Sequence, residues 1–269
     1  MAIFIQKPWY KKSSGPTYQG IWVPKTWSGR PTDLNGQYIW TDGTDIYYSY
    51  DANQYVLDKS TSTWSFKTWD GLTNFRGEDT WTDGTYIYYS NGSTQKVLSK
   101  SDSNWRNKSW TTTGYKINGS SIWTDGTYIY FSGKDAGTWV QYVLSNPYTA
   151  TWTSKTWQGL TQFYGNRVWT DGENIYYSNS TDQYVLNKAT STWSAKTWNG
   201  LTQFYGSRVW TDGENIYFSN STDQYVLDKA TSTWVTKTWQ GLTNFYGYRI
   251  WKDGDHIYYS YGTDQYELT

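Results

Sequence analysis

The chain has no cysteine, one histidine, one methionine and five prolines, and its charges cancel, 23 Lys and Arg against 23 Asp and Glu. Each shortage excludes a class of chemistry. Without thiols there are no disulfides, no thiol nucleophile and no zinc–thiolate centre. Balanced charge with no basic block argues against a nucleic-acid surface. No window approaches the ~18 apolar residues of a membrane helix, and the opening MAIFIQKPWYKK lacks the basic start and long apolar stretch of a signal peptide. The expectation is a chain without membrane insertion, cytoplasmic at synthesis.

Aliphatic residues are scarce as well. Leu, Ile, Val and Phe number 42 of 269 residues, a level that in a strongly charged chain would suggest disorder. The apolar mass sits instead in 20 Trp and 28 Tyr, whose rings bury roughly 150–250 Å² each. A folded protein with an aromatic core follows, long enough for one all-β domain or two smaller ones.

The aromatics are periodic. The phrase W-T-D-G-x-x-I-Y-[YF]-S, with W-K-D-G in its last copy, places an Asp at 42, 83, 125, 171, 212 and 253, in steps of 41, 42, 46, 41 and 41 residues. Residues 157–197 and 198–238 differ at six of 41 positions, the mark of a late duplication. Within a unit the apolar runs are four to seven residues long, rich in Trp, Tyr, Ile and Val, and separated by turn chemistry. In the fifth unit they are SRVWT, NIYFS, DQYVLDK and WVTKTW, with the turn pair Asp212-Gly213 between the first two. Four antiparallel strands repeated at ~40 residues describe a β-propeller blade, and six blades a closed ring.

The stretch YVLNKATSTWSAKTWNGLTQFYGSRVWTDGENIYFSN resembles kelch repeats. It carries a Tyr in one strand (with an Asp three residues later in YVLD of the first and fifth units), then T-x-T-W, an Arg before the next blade's first strand, and D-G-x-x-I-Y. The likeness spans about residues 20–269. One feature departs from it: the kelch Gly-Gly after the second strand is replaced by Ser-Asn, Asn-Gly or Ser-Gly.

The N-terminus fits the same frame. The last unit runs IYYSYGTDQYELT and stops after three strands, while residues 21–27, IWVPKTW, supply an isolated fourth. The expectation is a six-bladed ring over residues 20–269, closed like a Velcro strip by the N-terminal strand, with residues 1–19 as an extension or docking arm. Eighteen Trp fall in three sets of six: before T/K-D-G, opening the fourth strand and closing it. Trp9 and Trp139 stand outside. These rings are expected in the core, and the Lys two places before each closing Trp is expected to guard the outer strand against edge pairing.

Binding is sought in the loops that the strands hold in place. In a propeller the blade-to-blade loops open on the same face as those between second and third strands. Here they offer Phe75, Phe163, Phe204 and Phe245, with Tyr164, Tyr205 and Tyr246, and Arg167, Arg208 and Arg249 close behind. The kelch resemblance implies that these Arg point into a shared ligand face; alternatively the Phe pack under the loops and the Arg pair with neighbouring Asp. In the third unit SGKDAGTWVQYVL replaces SNSTDQYVL, lengthening a loop on the same face and adding Trp139. That ring either folds onto its own hairpin or is an exposed anchor for a sugar or protein.

Catalysis has little support. The one histidine, His256, sits in a turn where other copies carry Thr, Asp, Tyr or Asn. Kelch-like copper oxidases need a Tyr–Cys cross-link and several His; six-bladed sialidases need an Asp box of different spacing. The six turn Asp read as turn formers, each turn offering few oxygens for calcium. No cofactor or metal is expected. The reading is a non-enzymatic binding and assembly module with a glycan or protein partner. Its opening residues resemble the starts of some phage structural proteins, which makes virion association an expectation. The alternative is a free-standing multivalent lectin, with a glycan hydrolase behind it.

Overall fold

The computed structural model describes residues 18–110, 117–135, 137–146 and 151–269. The proposed docking arm, apart from Tyr18 and Gln19, and the unassigned Trp9 lie outside the described residues. The chain folds as a six-bladed β-propeller of antiparallel sheets. In blade five the strands are Val209–Thr211, Ile216–Ser221, Asp223–Asp228 and Thr233–Thr236, with Trp210 opposite Tyr217, Tyr217 opposite Val226, and Leu227 opposite Trp234.

Blade six combines Ile250–Asp253, His256–Tyr261 and Asp264–Leu268 with the N-terminal Trp22–Pro24. Val23 stands opposite Glu267, Ile21 and Thr269 exchange both backbone hydrogen bonds, and Lys25 N donates to Gln265 O. By the alternation of an antiparallel ladder the nitrogen of Pro24 then faces outward, where a strand tolerates proline.

The period-two pattern of the innermost strand divides its side chains between two neighbours. Val209 packs toward blade four and Trp210 toward blade six. The hydrophobic clusters therefore lie between blades. One of them joins Trp169 and Tyr176 of blade four, Trp198 and Phe204 of the connection, and Ile216, Phe218, Leu227 and Trp234 of blade five. Seventeen of the eighteen repeat Trp are buried, Trp110 partly so. Each first-strand indole donates from Nε1 to the Ser nine residues on, at 2.8–2.9 Å in all six blades. That bond explains the Ser of I-Y-[YF]-S, because a buried N–H without a partner costs about 1–3 kcal/mol.

The turns between first and second strands justify the T-D-G motif. In five blades the Asp Oδ1 accepts backbone N–H groups two and three residues on, as in Asp212 from Glu214 (2.9 Å) and Asn215 (2.7 Å). The other oxygen accepts the buried Tyr hydroxyl five residues on, at 2.8–3.4 Å. The Thr Oγ1 accepts the Gly N–H, and Gly213 takes φ +107. Blade six, with Lys252 for Thr, pairs Asp253 directly with His256 instead.

Two expectations are corrected. The insertion in the third unit lengthens strands rather than a loop: Ile129–Asp135 and Thr138–Asn146 form a long hairpin, and Trp139 pairs with Lys134 within it. The fourth strands end before the Lys, whose ammonium turns in over the closing Trp ring at 4.6–5.0 Å. Each blade-to-blade loop ends in a single 3-10 turn, and Phe204–Tyr205 and Phe245–Tyr246 pair with the second strands of blades four and five.

Candidate functional site

The loops flanking Arg76 place the face. Its Nε lies 3.4 Å from Asp51 in the turn between second and third strands of blade one, and its guanidinium stacks on Tyr50 at 5.3 Å. Blade-to-blade loops and second-to-third-strand turns thus share one face. The third-strand Gln of four blades ties the two together, as where Gln224 Nε2 donates to Ser221 O (2.6 Å) and Phe245 O (3.3 Å).

On this face the blade-to-blade loop buries its Phe and raises its Tyr and Arg. Phe75, Phe163, Phe204 and Phe245 are 0–2% exposed. Tyr164, Tyr205 and Tyr246 precede the 3-10 turns Gly165–Arg167, Gly206–Arg208 and Gly247–Arg249. A Cβ on Gly206 would lie 2.0 Å from Arg167 O, and one on Gly247 2.1 Å from Arg208 O. Each turn therefore rests on the backbone of the preceding Arg, which fixes the spacing between the three guanidiniums.

The side chains form a continuous arc. Arg167 lies 4.4 Å from the Tyr205 ring centre, Arg208 5.3 Å from Tyr205 and 5.4 Å from Tyr246, and Arg249 5.1 Å from Tyr246 and from Tyr248 and 3.4 Å from Tyr261. Trp139 lies on the same face in blade three, beside Tyr164. Half-buried, its ring meets Tyr164 at 4.7 Å and carries Lys134 at 4.8 Å. Trp139 thus both lies on its own hairpin and bridges to the next loop. All seven candidate residues, Trp139, Tyr164, Tyr205, Tyr246, Arg167, Arg208 and Arg249, fall on one face of blades three to six.

The expected Arg–Asp pairing is replaced by another partner. Arg167 Nη1 donates to Asn179 Oδ1 at 3.0 Å, and Arg208 to Asn220. These Asn are the Ser-Asn residues that depart from the kelch Gly-Gly. The residue twelve positions after the rim position serves the same purpose in three further units, the third unit having Gly133 there: Tyr261 stacks on Arg249, Asn91 donates to Asp79 at 2.8 Å, and Tyr50 stacks on Tyr38 at 4.6 Å. The signal was present in the repeats, as a pair of variable positions at constant spacing.

Across the channel mouth the rim changes character. The positions equivalent to the three Arg are Tyr38, Asp79 and Ser121. Asp79 is 5% exposed, accepts from Asn91 and from Ser120 N (3.3 Å), and has its pKa raised by burial and then by Glu78. Gln37 donates to Glu78. Three Arg line one half of the mouth, whereas on the other Arg76, paired with Asp51, stands with Glu78 and Asp79.

Other chemistry is sparse among the described residues. His256 is exposed, with Nδ1 2.7 Å from Glu267, which also pairs with Lys25 at 3.0 Å. No three His, Asp or Glu side chains stand close enough to hold a metal ion among the described residues, and no helix there is long and apolar enough to cross a membrane. Among the described residues the spaces between blades are filled by the buried Trp. No protein-family model matches this chain and no curated protein matches it, so the likeness to kelch repeats rests on its motifs.

Proposed function

We propose that this propeller is a non-enzymatic binding and assembly module whose loop face captures an acidic partner on the arc from Arg167 to Arg249. The ring supplies a rigid scaffold, which fits a binding role. The observation that carries the reading is the Arg–Tyr ladder: three guanidiniums held at fixed spacing on tyrosine faces, with remaining N–H donors available to a carboxylate, sulfate or phosphate. Glu78 and Asp79 on the other half of the mouth orient such a partner by repelling it. The half-exposed Trp139–Tyr164 pair adds an apolar platform on the same face, suited to a sugar ring or a protein side chain. The kelch-like motifs and the opening residues support a place in an assembly such as a virion. The filled spaces between blades weigh against a lectin with equivalent sites there.

The test is binding to an array of neutral and acidic glycans by the protein, Arg208→Ala and Trp139→Ala. Acidic glycans bound by the parent and lost on Arg208→Ala support the reading, with a loss of about tenfold expected for one charge-assisted contact. Binding confined to neutral sugars, or indifferent to Arg208, overturns it. Silence throughout removes the glycan and leaves an acidic protein surface as the partner.

A further inference from the structure

The axis of the ring holds an apolar cavity of about 270 Å³, lined by innermost-strand residues including Ile39, Val168, Val209 and Ile250, and reaching Lys252 at the face opposite the Arg arc. We propose that this channel is a second binding site, for a small amphiphilic anion whose apolar body lies along the axis and whose head meets the Lys252 ammonium.

The polar groups of the wall are already engaged, apart from Lys252, the Tyr248 hydroxyl and the exposed carboxylate of Glu173 in the blade-four turn. The hydroxyls of Thr41, Thr124, Thr170 and Thr211 each donate to a carbonyl of their own turn at 2.6–2.7 Å and accept its Gly N–H. Asp125 is held by its turn, and Lys188 donates to Asp125 O at 3.1 Å. Lys252 stands where the other five copies place Thr. Among the described residues its Nζ has no salt bridge or hydrogen bond. Burial lowers its pKa, outweighing the nearby charges of Asp212 and Asp255. Asp212 is committed to Glu214, Asn215 and Tyr217 in its own turn. An apolar cavity with one desolvated cation is the usual form of a small-ligand site.

Size fixes the ligand class. At the ~30 Å³ that one water occupies in the liquid, the cavity holds about nine waters or a ligand of roughly ten heavy atoms. A medium-chain fatty acid or an aryl acid fits, and octanoate is the natural probe. Its neutral isostere, octanamide, keeps the length and removes the charge.

Calorimetric titration with octanoate and octanamide tests this on the full chain, Lys252→Thr and Arg208→Ala. Lys252→Thr restores the residue of the other five turns, and near-UV circular dichroism checks its fold. Octanoate is expected to bind once per chain and about tenfold more tightly than octanamide, the difference one charged hydrogen bond supplies. Lys252→Thr should erase that preference and Arg208→Ala should leave it intact. Failure of octanoate to bind, equal binding of the two probes, or a preference that survives Lys252→Thr overturns the proposal. Loss of the preference in Arg208→Ala alone would move the ligand to the loop face and overturn it too.

Discussion

At Asp79 the rim of the loop face carries an acid where blades four to six carry Arg. Its carboxylate is buried, and two hydrogen bonds do not offset the desolvation, so its folded pKa stands above the ordinary value. An acid with a raised folded pKa holds its proton longer in the native state than in the unfolded chain. Its stability contribution is therefore greatest at low pH and is lost as pH rises through the raised pKa. Asp79→Asn, which keeps an acceptor for Asn91, should raise the urea midpoint at pH 7, and its advantage over the parent should close as pH falls below the ordinary carboxylate range. A variant less stable than the parent at pH 7 would show that the ionised carboxylate is needed there. Neither the burial of Asp79 nor the stacking of Arg167 was legible at the residue scale. Asp79 is met by Asn91, twelve positions on, and Arg167 by Asn179 at the same spacing and by Tyr205 of the next loop; these partners act through the folded blade, and a local reading assigned Arg to neighbouring Asp.

The element that places the site is the 3-10 turn between blades, and it works by close approach. Gly206 has no room for a side chain, because a Cβ would sit 2.0 Å from the backbone oxygen of Arg167, an atom no rotamer can move. Gly206→Ala should cost about 3 kcal/mol, the upper end for overpacking, read as a fall in the urea midpoint at constant m. It should also weaken acidic-ligand binding, since Arg167 and Arg208 are spaced by that contact. Gly213→Ala is the control: it strains a positive φ but meets nothing within 4 Å, and should lose stability without touching the arc. Blade strands were legible because apolar runs, turn pairs and a 41-residue period agree. The turns and the Phe204–Tyr205 pairing were not, because a few polar residues and one Gly encode a contact with another blade rather than a local propensity. The lengthened third hairpin was misread for a related reason: inserted residues in a two-stranded ribbon can extend its ladder as readily as its loop.

For the whole molecule, the ring is closed by hydrogen bonds and packing, without a covalent hairpin at the seam. Trp22 and Trp193 are equivalent rings, 1% and 2% exposed, opening the fourth strands of blades six and four. Replacing either with Ala should cost about 3–5 kcal/mol. Their consequences should differ in kind. The strand of Trp193 is joined to its neighbour by a short turn, so its loss weakens the blade in place. The strand of Trp22 meets Asp264–Leu268 from the other end of the chain, and once its anchor is gone it can leave and expose that edge. Hydrogen exchange should then show early loss of protection in Trp22→Ala at the amides of Lys25 and Thr269, which bond across the seam at 2.8 and 2.9 Å, with association that grows with concentration. Trp193→Ala should keep the parent's association state and lose protection only on global unfolding. If the two variants exchange alike at the seam, closure is not the weak point of the ring, and its stability is shared evenly among the six interblade clusters.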